Sequence, residues 1–72
     1  MDTLPTGPIE SDPIDYYRGR DFADLRALLD EALDGVELGA YDRRIVDWAK
    51  QTWDQPTMVT IASLIQRARA LR

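Results

Sequence analysis

Only Trp53 and Asp54 separate two segments that each repeat apolar residues at the spacing of a helix. In residues 40–52, "AYDRRIVDWAKQT", a turn of about 100° per residue gathers Tyr41, Ile45, Trp48, Ala49 and Thr52 on one side. Val46 and Trp53 widen that side, and Arg43, Arg44, Asp47, Lys50 and Gln51 fall opposite. In residues 55–71, Met58, Ile61, Ala62, Leu64, Ile65, Ala68 and Leu71 cover roughly half the circumference. Asp54 is placed to cap this second helix and Pro56 falls in its first turn, a strong start signal. So short a link makes the two helices neighbours at a steep or antiparallel angle.

A third helix is expected over residues 21–34, "DFADLRALLDEALD". Phe22, Leu25, Leu28, Leu29, Ala32 and Leu33 share its apolar face, and Arg26, Asp30, Glu31, Asp34 and Asp24 lie outside. Asp21 and Asp24 have the spacing of a capping box, and Gly35 can end the helix in the left-handed conformation. Upstream, "SDPIDYYRG" offers Asp12 and Pro13 as a helix start that Gly19 stops within a turn, so Ile14, Tyr16 and Tyr17 can lay a short arm on the body. Residues 1–11, punctuated by Pro5, Gly7 and Pro8, read as a flexible tail ahead of one helical domain over 12–72. No segment alternates with the period of a strand. The expected fold is therefore all-α: a small three-helix bundle (about 21–34, 40–52 and 55–71) with an N-terminal arm. Trp48 is its expected large core residue, and Trp48→Ala should then cost ~3–5 kcal/mol.

A chain of 72 residues without cysteine must be held by packed apolar faces alone. The absence of histidine removes the commonest metal ligand and acid–base group. Ser11 and Ser63 have no base to activate them, and the carboxylate neighbours Asp21/Asp24 and Asp30/Asp34 sit on a polar face without a pocket. Glycines 7, 19, 35 and 39 are scattered and build no phosphate loop. No catalytic residue, cofactor, metal or small-molecule substrate is expected. The longest uncharged run, residues 55–66, is too short and polar to span a bilayer, and the N-terminus has no signal-peptide pattern, so a cytoplasmic location is expected.

Two binding roles remain. As a DNA reader, the last helix would present Thr57, Thr60 and Arg67, with Arg43, Arg44 and Lys50 on phosphates. Against it stand a net charge of -4 and few base-reading side chains early in that helix. The charge is lopsided: residues 1–38 carry -7 and residues 39–72 carry +3. As a protein-binding or self-associating module, the chain would use small side chains outside the main arc of the last helix, Val59, Ser63, Gln66 and Ala70, together with Tyr16, Tyr17 and Trp53. The competing expectation is that the arm packs on that strip and Trp53 caps the core. The interaction reading ranks first, with a homodimer or a protein partner, and Ser63→Arg should then break the interface.

The run "ELGAYDRRIVDWAKQTWDQPTMVTIASLIQRARA" resembles small uncharacterised proteins of high-GC actinobacteria and their phages. Asp42, Ile45, Trp48, Trp53-Asp54, Pro56-Thr57, Leu64-Ile65 and Arg67-Ala68-Arg69 carry the likeness over the C-terminal half. The resemblance implies a small helical fold and such a source, and eight arginines against one lysine agree with a high-GC genome. It carries no activity and no functional residue across.

Overall fold

The computed structural model describes residues 4–71, and among these residues every regular element is a helix. They are α1 (Ile14–Tyr17), α2 (Phe22–Ala32), α3 (Ala40–Thr52) and α4 (Gln55–Ala70). Of the expected tail, residues 1–3 lie outside the described residues, as does Arg72.

The ends of the helices follow local chemistry. The Asp54 carboxylate accepts the Thr57 backbone N–H at 3.0 Å, which satisfies one of the donors a helix start leaves open. Hydrogen bonding to Thr57 holds the Asp54 carboxyl below its ordinary range. A lowered folded-state pKa stabilises the fold above the unfolded value, 3.8, and that stabilisation is lost as pH falls through the folded value. Asp54→Asn keeps a capping oxygen but not the charge, so the gap in melting temperature between wild type and this variant should close as pH is lowered below 3.8. A gap unchanged across that acid range would show that the carboxylate is not the cap that matters.

Asp42 reaches back to the Gly39 N–H at 3.0 Å and closes the first turn of α3. The Asp21–Asp24 capping box does not form, because the Asp21 side chain accepts no hydrogen bond. The chain closes that turn through the Asp21 carbonyl instead, which accepts from the Asp24 and Leu25 N–H groups. α2 ends at Ala32, two residues before the expected limit: the last turn tightens as Asp34 N–H donates to the Glu31 carbonyl. Gly35 follows in the left-handed region at φ 80°, where a side chain would be strained.

The main packing is α2 against α4, with α1 also on α4. Leu25 and Leu29 from α2, Ala49 from α3, and Met58 and Val59 from α4 form the buried centre. Tyr16, Tyr17, Phe22, Leu28, Leu33, Val46, Trp53 and Ile65 pack around it. α3 has no comparable helix–helix contact and leans on the α2–α4 pair along one edge. Its attachment is largely polar: Lys50 Nζ contacts both oxygens of Asp30 at 3.0 and 3.2 Å, and Arg26 Nε donates to the Lys50 carbonyl at 2.9 Å.

Trp48 is therefore not the large core residue that the pattern predicts. It is 54 % exposed, Tyr41 is 70 % and Ile45 is 43 %. Ala49 with Val46 and Trp53 forms one edge of the apolar side of α3, and only that edge meets the core. α4 is turned in a related way. Met58, Val59, Ala62 and Ser63 are buried, whereas Leu64 and Leu71 from the predicted core arc are exposed. The extra cover on the Val59/Ser63 side comes from the N-terminal arm.

Candidate functional site: the outer face of α3

Residues 4–13 run along α4 in the opposite direction. Leu4, Pro5 and Thr6 lie beside Gln66, Arg67 and Ala70, and residues 9–13 lie beside Pro56, Thr57 and Thr60. Leu4 packs on the core, and the Ser63 hydroxyl donates to the Pro5 carbonyl at 2.6 Å. Arg67 Nε donates to Ser63 Oγ at 3.1 Å, so this buried hydroxyl is satisfied on both sides. Ser63 is the side chain that registers the arm on the helix. This contact is nearly the full length of the chain away in sequence, and only Leu4 and Ile9, the apolar residues of the tail, hint at it.

The strip expected to form an interface is thus divided. Val59 and Ser63 are fully buried inside the protein and are not available to a partner. Gln66 and Ala70 are exposed beside the arm. Tyr16, Tyr17 and Trp53 are half-buried against the core, the arrangement in which Trp53 caps it. Tyr16 also lies 4.3 Å beneath the Arg20 guanidinium, and Tyr17 donates its hydroxyl to Asp12 at 2.9 Å, which raises its pKa.

Some of the expected nucleic-acid contacts are engaged within the protein. Thr57 and Thr60 lie beside the arm, and Thr60 is half-buried. Arg67 is bound to Ser63, and Lys50 is paired with Asp30. The Arg43 and Arg44 side chains, on α3, have no hydrogen bond or ion pair among the described residues. Among the described residues there is also no cluster of three carboxylates that could hold a metal ion, and no helix is long and apolar enough to cross a membrane.

What the structure brings together is a different set. Tyr41, Ile45 and Trp48 are spaced four and three residues apart, so they share one face of α3, with Arg44 at its margin. These four side chains line an open depression of about 380 Å³. Leu38, Gly39, Ala40, Arg43, Arg44 and Asp47 line a neighbouring hollow of about 460 Å³ on the same helix. Two aromatic rings and one branched aliphatic chain form an apolar strip on the order of 300–400 Å², the size of patch that on monomers is often functional. The signal for it was present in the sequence as an apolar arc on α3 too wide for one contact, but burial was the natural first reading of that arc.

Comparison with protein-family models, with curated proteins and with solved structures finds no match.

Proposed function

We propose that this protein is a non-catalytic interaction or regulatory module that works through a helical surface, and that the surface is the outer face of α3. The observation that carries this reading is the exposure of Tyr41, Ile45 and Trp48 together on one helix face. Leaving these two aromatic rings 70 % and 54 % exposed forgoes part of the roughly 1.5–3 kcal/mol that full burial of a large apolar side chain is worth, a loss that a partner would recover. The chain exposes 5229 Å², against about 4500 Å² expected for a folded monomer of 8.2 kDa. On this reading the three-helix pattern in the sequence is completed from outside, because the face of α3 patterned for burial receives its cover from another molecule. The place differs from the strip expected on α4, where Val59 and Ser63 are buried and only Gln66 and Ala70 are exposed.

A helix-turn-helix-like DNA reader using residues 55–71 has less support. The arm lies on the side of α4 that carries Thr57 and Thr60, and two of the expected nucleic-acid contacts, Lys50 and Arg67, are engaged within the protein.

A photo-reactive residue in place of Tyr41 tests the proposal in cells that express the protein, with the same residue in place of exposed Arg18 as the reference. Discrete protein adducts at position 41 and none at position 18 are expected. Equal labelling at both positions, or none at position 41, would remove α3 as the working surface. Adducts of twice the chain mass would identify a second copy as the partner.

A further inference from the structure

We infer that residues 4–11 form a strap that opens and closes on α4 while the rest of the fold stays intact, latched at Ser63 and pivoted at Asp12. The hold on this stretch is slight. Among the described residues, its only hydrogen bond is the one that the Pro5 carbonyl accepts from Ser63 Oγ at 2.6 Å, and its backbone has no helix or strand ladder. Leu4, Pro5 and Ile9 are half-buried, whereas Thr6, Gly7, Pro8, Glu10 and Ser11 are exposed. Ordering such a stretch costs chain entropy at every residue, and two half-buried aliphatic side chains with one hydrogen bond do little more than offset it. Segments held so lightly open locally, at a free energy well below that of global unfolding.

The latch can break without leaving a donor unpaired. Ser63 lies within α4, where a serine hydroxyl can turn to the carbonyl four residues back, here that of Val59, while the freed Pro5 carbonyl turns to water. Arg67 Nε, which donates to Ser63 Oγ at 3.1 Å, keeps its acceptor in both states. The other end is anchored. Tyr17 packs on the core and donates its hydroxyl to Asp12 at 2.9 Å, and the Pro13 carbonyl accepts the N–H groups of Tyr16 and Tyr17 at the start of α1. α1 in turn packs on α4. Opening therefore stops at Asp12. It turns the Ser63 side of α4, fully covered in the closed state, into a surface present only when the strap is off.

The chain has no cysteine, so Ser63→Cys places a single thiol of nearly the same size at the latch. Its labelling by a maleimide should proceed in native buffer and change less than about twofold between 0 and about 1 M urea, because a strap exposes little surface as it opens. Labelling that rises about fivefold or more over that range, in step with global unfolding followed by circular dichroism, would overturn the inference. Wild type, which keeps the hydroxyl, gives a second reading with a broad-specificity protease at low dose. The first cuts should fall within residues 4–11, at a rate equally flat in urea, and leave the remainder whole. First cuts beyond Asp12, or a rate with the urea dependence of global unfolding, would equally overturn it. Tyr17→Phe keeps the ring on the core and deletes only the hold on Asp12, so cutting should spread past Asp12 toward Gly19, about fivefold faster there than in wild type. An unchanged pattern of cuts in that variant would remove Asp12 as the pivot.

Discussion

Leu25→Ala should lower the stability of the protein by about 3–5 kcal/mol, while Trp48→Ala should fold and melt nearly as wild type does. Leu25 is fully buried and belongs to the cluster in which all three long helices meet: Leu29 from its own helix, Ala49 from α3, Met58 and Val59 from α4. Removing its isobutyl group loses the transfer free energy of the deleted carbons and leaves a cavity that small neighbours such as Ala49 cannot fill, about 3–5 kcal/mol together. A domain of 72 residues has roughly 4–10 kcal/mol in all, so this one change removes a large share of its stability. Trp48, at 54 % exposed, has much less to lose, under about 1.5 kcal/mol. Urea melts followed by far-ultraviolet circular dichroism separate the two variants. Equal destabilisation by both would mean that α3 turns Trp48 inward, and the surface proposed for binding would not exist.

That contrast shows where sequence reasoning holds and where it stops. The bounds of α3 and the start of α4 are set by neighbours within a turn: Asp42 on the Gly39 N–H, Asp54 on the Thr57 N–H, Pro56 where the helix has no bond to lose. Such features are local and legible. The face that each helix buries is not, because it depends on which other element arrives. The apolar side of α3 is wide enough to satisfy either edge, and the polar grip of Arg26 and Asp30 on Lys50 selects the Val46/Ala49 edge and leaves Tyr41, Ile45 and Trp48 outside. On α4 the arm adds a second covered side, so Val59 and Ser63 are buried at the expense of Leu64 and Leu71. Neither choice leaves a periodic mark. The candidate site was readable as residues on one face and unreadable as a surface, since exposure is a property of the assembled fold. Likewise, composition makes residues 1–11 look like a tail, and nothing in composition reveals the hydrogen bond between Pro5 and Ser63.

Ser63→Arg should destabilise the protein by detaching its arm, whatever the protein's oligomeric state. If Ser63 lay on an exposed interface, the same substitution would weaken association and leave the fold intact. Its side chain is fully buried, between the Pro5 carbonyl at 2.6 Å and Arg67 Nε at 3.1 Å. An arginine there has no room for its stem and brings a second guanidinium beside Arg67, while the Pro5 carbonyl loses its donor. The cheapest response is for residues 4–11 to swing off α4, which uncovers Val59 and Leu4 together. Overpacking of a filled site costs about 1–3 kcal/mol, and the loss of the apolar cover adds to it. Ser63→Ala separates the two contributions: it keeps the space and deletes only the hydroxyl, for about 1 kcal/mol. Limited proteolysis gives the direct reading, with cleavage within residues 4–11 fast in Ser63→Arg, intermediate in Ser63→Ala and slow in wild type. Should Ser63→Arg melt like wild type and resist cleavage, the arm would not lie on Ser63, and the strip on α4 would again be open to a partner, with α3 no longer the sole candidate surface.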